Sequence, residues 1–165
     1  MDISHDRLLA GLHAYLHGGC IPDNGQLDAI GRGLEESLSF RDAIILAAVR
    51  PDAIDPVFMS RCACAPHDTE VASRMGVLLT EAFEHGKGFD RTILRRLDEL
   101  LVVIGARPDG VRNAQVAAVR AYLAWWVGGD ASELALQALV LDGDCTLAVI
   151  VLTAVSHGLY PSTGR

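Results

Sequence analysis

Apolar side chains recur every three or four residues along almost all of this chain, and Gly, Pro or Asp breaks the pattern at short intervals. The clearest case lies between Asp90 and Gly105, where Ile93, Leu94, Leu97, Leu100, Leu101 and Ile104 fall on one face of a helix. A period of 3.6 cannot be satisfied by a strand, so each stretch must wind into a helix and bury its stripe on a neighbour. Stop and start signals divide the chain into about nine helical segments. The first runs from Ser4 to His17 and stops at Gly18-Gly19. The second follows Pro22-Asp23, and its Gly31 and Gly33 weaken it while admitting a close neighbour. The third begins at Ser39, which with Asp42 resembles a capping box. Pro51 ends it, and Asp55-Pro56 opens a short fourth helix.

The remaining boundaries are equally local. The fifth helix runs from Asp68 to His85. Asp90 caps the sixth, with Phe89 placed to staple onto Leu94. The seventh follows Pro108-Asp109-Gly110 and reaches Trp126 or Val127. Asp130 opens the eighth in a D-x-x-E pattern, and the ninth covers Thr146 to His157. Alternating strand-like segments are missing, so the predicted fold is all-α, one compact domain of helices packed as antiparallel hairpins.

The totals fit that architecture. A chain of 165 residues can bury one real core, and with half its residues apolar but only 5% aromatic, aliphatic side chains must fill it. The net charge of −7 opposes phosphate backbones, so no nucleic-acid partner is expected. Arg91, Arg95 and Arg96 form the one candidate basic patch, but Asp90, Asp98 and Glu99 sit among them and the face reads as mixed and solvated. No apolar run reaches the roughly 20 residues of a membrane span. Met1 to Asp6 lacks the basic-then-apolar pattern of a secretion signal, so a cytoplasmic location with four free thiols is expected.

Two regions carry a family resemblance. One is Leu27 to Ala48, in which small and apolar residues lead to Arg41-Asp42-Ala43 and an apolar helix. The other holds Trp126, Gly129 and Asp130, then an Ala/Leu-rich helix from Ala135 to Leu141, then Asp142 to Asp144, then Thr146-Leu147-Ala148. Together they resemble the C-terminal helical region of an actinobacterial domain family of unknown function, numbered 4192. The stretch from Val57 to Ala118 matches poorly. The resemblance implies relatives and an architecture, but no activity. It also implies a further N-terminal region in family members, so the chain is expected to be a short variant or the C-terminal part of a longer protein. The Trp-Gly-Asp-Ala step is distantly similar to a tetratricopeptide hairpin, although no period of about 34 residues accompanies it.

Candidate chemistry is sparse. Cys62, Cys64 and His67 form C-x-C-x-x-H, whose residue types are zinc ligands, with His85 or Cys20 as a conceivable fourth. On a helix Cys62 and Cys64 diverge, so buried or half-buried free thiols are the first reading, and a small zinc-binding or enzymatic domain the alternative. His13 and His17 share a helix face, but Ala14 stands where a zinc protease would carry Glu. The adjacent carboxylates Glu35-Glu36 and Asp98-Glu99 diverge and form no acid/base pair, and no nucleophile motif is present. No catalytic residue and no cofactor is assigned. Trp125, Trp126 and Tyr122 read as core, with a role as interaction anchors as the second possibility. The chain is therefore expected to be a protein–protein interaction or assembly module without catalytic activity, able to homodimerise through an exposed apolar patch. A DNA-associated accessory role is a weaker alternative.

Overall fold

A computed structural model describes residues 3–108, 110 and 113–163. Among the described residues there are nine α-helices and no strand. They are α1 Ile3–Leu16, α2 Asn24–Glu36, α3 Leu38–Val49, α4 Pro56–Cys64, α5 Thr69–His85, α6 Arg91–Gly105, α7 Ala114–Trp126, α8 Ala131–Leu141 and α9 Thr146–Ser156. None of them is long and apolar enough to cross a membrane.

Aspartates start most of these helices. Asp23, Asp55, Asp68, Asp90 and Asp130 each accept from a backbone N–H two or three residues on, satisfying donors that the first turn leaves unpaired. Two starts differ from the sequence reading. Ser37, not Ser39, caps α3, accepting from the Phe40 N–H at 3.2 Å. Ser39 lies inside the first turn and donates instead to the Ala63 carbonyl at 2.7 Å, tying α3 to the end of α4. Asn113 caps α7 while its amide donates to the Gly31 carbonyl of α2 at 2.8 Å. The Pro108-Asp109-Gly110 signal lies just before it, and Asp109 is outside the described residues.

One hydrophobic cluster draws on every helix, and α3 runs through its centre. All residues from Ala43 to Val49 are buried, against α2, α4, α5, α6 and α7. Side chains such as Ile44 and Leu46 each contribute about 1.5–3 kcal/mol by leaving water. The glycines of α2 make room for this packing. A Cβ on Gly33 would stand 2.7 Å from the Phe40 ring, and one on Gly31 would press on Ile104 of α6 at 3.2 Å. Consecutive helices pack on each other at α3–α4 and through α6, α7, α8 and α9. Consecutive pairing is weaker at α2–α3 and α4–α5, while α1 packs mainly on α4 and α5 scarcely meets α6.

Arg50 ends α3 inside the protein, with only 2% of its surface exposed. Its guanidinium donates to both Asp52 oxygens at 2.9 and 3.0 Å, to Glu81 at 3.0 Å and to the Leu78 carbonyl at 3.1 Å. Every face of the fork is used, which is what makes burial of this charge tolerable. Gly88, at φ +70°, closes over Arg50 and Asp52 where a side chain would collide with both. Hydrogen bonding from Arg50 holds the Asp52 carboxyl below its usual range, and Lys87 followed by Arg50 does the same for Glu81. A depressed carboxylate pKa contributes stability that is complete above the unfolded-state value and is lost as pH falls through the folded one. Arg50→Met should therefore cost about 2–3 kcal/mol at pH 7, less than breaking a fully buried pair because both carboxylates reach solvent. Denaturant unfolding of both proteins should show that difference shrinking below about pH 4. A difference independent of pH would contradict the ion-pair account.

Candidate interaction site

Helix α8 is built inside out. Its buried residues are Ala131, Ala135 and Ala138, one stripe at i, i+4, i+7. Of its large apolar side chains, Leu134 and Leu139 are half-buried at the edge of the core, Leu141 is exposed, and Leu136 and Val140 are 54% and 86% exposed. The alanines let α8 lie close on α7, the most extensive helix–helix contact in the fold. Leucine and valine are left for the outer surface, the reverse of an ordinary surface helix.

A groove runs beside this helix. Both α6 and α8 pack on α7 but scarcely touch each other, so α7 forms a floor between two walls. One end has a volume of about 310 Å³, floored by Leu123 and Ala124 of α7 and Val127 just beyond it, and walled by Leu134 of α8. The α6 wall there carries Arg91, Arg95 and Asp98, and Arg120 rises from the floor. The other end, about 220 Å³, lies among Val102, Gly105, Val116, Ala117, Gln137 and Leu141. Arg120 lines both. The groove thus carries three arginines and Asp98 at the end where α6 and α8 begin, and fewer charges where they finish.

Its charges are unequally matched. Arg120 pairs with Asp98 at 2.8 Å, and Arg95 with Glu99 at 3.4 Å across two exposed side chains. Arg91 makes no ion pair among the described residues and reaches only the Val127 carbonyl, at 3.4 Å. Arg96, which the sequence grouped with these, turns away and donates to the Leu16 carbonyl at the end of α1, at 3.0 Å.

The residues singled out in the sequence are not brought to one place. Cys62 is buried and its thiol is pushed up to about 11 by burial, while Cys64 and His67 are exposed. Among the described residues no three His, Cys, Asp or Glu side chains stand close enough to hold a metal. His13 and His17 do lie side by side, ring centroids 4.4 Å apart and tilted by 33°, but His13 is hydrogen-bonded to the Ile54 carbonyl at 2.8 Å. Partial desolvation and then His13 lower the His17 pKa. Trp125 and Trp126 are 6% and 1% exposed, seated with Phe83, Phe89 and Tyr122 in an aromatic cluster. Phe89, read as a staple over Leu94, stacks on Trp126. The Trp125 indole donates to the Leu159 carbonyl at 2.8 Å, fastening the C-terminal segment, whereas the buried Trp126 N–H has no partner among the described residues. Burial raises the neighbouring Tyr122 phenol to about 12. The two indoles are buried in the core, and the Tyr122 ring packs partly buried against it.

Sequence reasoning did not find the groove. The i, i+4, i+7 alanines of α8 were the available signal, because small residues at buried spacing leave the intervening leucines unaccounted for.

The thiols give a direct check on the local geometry. In the folded protein a thiol-specific reagent should modify Cys20 and Cys64 quickly at pH 8, and Cys62 and Cys145 only on unfolding. Fast modification of Cys62 would contradict its placement. Compared with known protein families, curated proteins and solved structures, the chain matches none.

Proposed function

We propose that this protein is an interaction or assembly module that works by binding another polypeptide in the groove over α7. One observation carries the reading: α8 spends its alanines on the core and displays its leucines beside an open, helix-wide channel. Exposing Leu136, Val140 and Leu141 to water has no folding benefit, and exposed apolar side chains gathered on one short helix fit a contact site. From Val116 to Val127 the floor runs for three turns, about 16 Å, which suits a short helix laid in a groove. The resemblance to the actinobacterial domain family is compatible with such a module and adds no activity to it.

Photo-crosslinking in cells that make the protein tests this directly. A crosslinking residue at Gln137, in the groove, should capture a discrete polypeptide, while the same residue at the exposed Thr80 of α5 should not. Equal capture at the two positions, or none at either, would contradict the proposal.

A further inference from the structure

We propose that His13 and His17, at the C-terminal end of α1, form a two-point clamp for a late first-row divalent metal ion such as nickel, copper or zinc. The clamp lies outside the groove over α7 and stands or falls independently of it.

The turn that carries the pair is closed, since the His17 N–H donates to the His13 carbonyl at 3.2 Å. Residues four apart on a helix share a face. A helical side chain leans back over the preceding turn, which brings the His17 ring toward His13. The ring centres are accordingly 4.4 Å apart. An ion bound by two imidazoles at about 2.0–2.1 Å needs their nitrogens about 3 Å apart. Rings this close reach that spacing by side-chain rotation alone. The His17 ring is exposed, with no hydrogen-bond partner among the described residues to hold it back.

The contact of His13 with Ile54 is a second, independent observation. A carbonyl can only accept, so Nε2 of His13 carries the proton that it donates at 2.8 Å. In the neutral ring this leaves Nδ1 with a lone pair. Metal-binding histidines are held in this way, with the far N–H given to a carbonyl, a carboxylate or water that fixes tautomer and ring orientation. Ile54 is buried between α3 and α4, so the orienting carbonyl belongs to a fixed part of the fold.

Electrostatics and donor chemistry select the ion. The pair ends a helix whose unpaired carbonyls favour positive charge, on a chain of net charge −7. Arg96, which donates to the Leu16 carbonyl at 3.0 Å, opposes a cation there, and Asp90, the cap of α6, offsets Arg96. Two imidazoles suit nickel, copper and zinc, whereas magnesium and calcium require oxygen ligands. No third His, Cys, Asp or Glu joins them among the described residues, so water completes the shell. The exposed side at His17 leaves room for a donor from another molecule.

Calorimetric titration with Ni²⁺ at about pH 7.5, where an ordinary imidazole is mostly uncharged, tests this on the full chain without an affinity tag. Cys20→Ser and Cys64→Ser remove the exposed thiols so that they do not compete. One ion per chain should bind and should raise the thermal unfolding midpoint. His17→Ala, at an exposed position, should weaken binding about tenfold or more, because the second imidazole no longer acts at the high effective concentration of a shared helix face. His13→Gln, which keeps an amide donor for the Ile54 carbonyl, should do the same, while His157→Ala should leave binding unchanged. No saturable uptake, binding that survives His17→Ala, or weak uptake spread over all six histidines would overturn the proposal.

Discussion

The alanine seam of α8 decides the character of the surface. Because Ala131, Ala135 and Ala138 are the only fully buried residues of that helix, α8 sits against α7 and α9 mainly through small side chains, with Leu134 and Leu139 packed at the margins. Close approach of helix backbones provides dispersion contacts at little cost in side-chain entropy. Above α7, α6 and α8 stay apart. The groove is therefore a consequence of core packing, and its lining follows from which residues the seam did not need.

The rest of the molecule holds this arrangement in place. Asn113 starts α7 and at the same time hydrogen-bonds α2, so the floor of the groove is anchored at its apolar end. At its other end the aromatic cluster around Trp125 and Trp126, fastened by Leu159, fixes where α7 stops. Arg41, 6% exposed, bonds to Asp42 and to Gln115 at 2.9 Å, linking the central α3 to α7. Arg50 performs the corresponding task between α3 and α5. With few aromatics, the chain relies on several such buried polar ties, which specify position as well as adding stability.

Much of the fold was legible because helix boundaries are local. Asp23, Asp55, Asp68, Asp90 and Asp130 declare their own caps, and each helix they open was anticipated from sequence. Ser37 and Ser39 show the limit of local reading. Both are competent caps, and the choice was made by a tertiary bond from Ser39 to Ala63. Pairing was harder to read, since nothing near α1 announces that it packs on α4 instead of α2. The candidate site was nearly invisible. Its arginines were noticed as a mixed, solvated cluster, but that they split, with Arg96 closing α1 and Arg91 facing a groove, depends on the rotation of α6 in the assembled core.

The central claim is that α8 faces inward through alanine and outward through leucine. Denaturant unfolding of Ala135→Leu and Leu136→Ala, at protein concentrations low enough to keep chains apart, tests it most directly. Overpacking the seam with Ala135→Leu should lower stability by about 1–3 kcal/mol, while Leu136→Ala should stay within about 0.5 kcal/mol of the parent. The opposite ranking, with Leu136→Ala the damaging change and Ala135→Leu tolerated, would show that the helix is turned the other way and that no such groove exists.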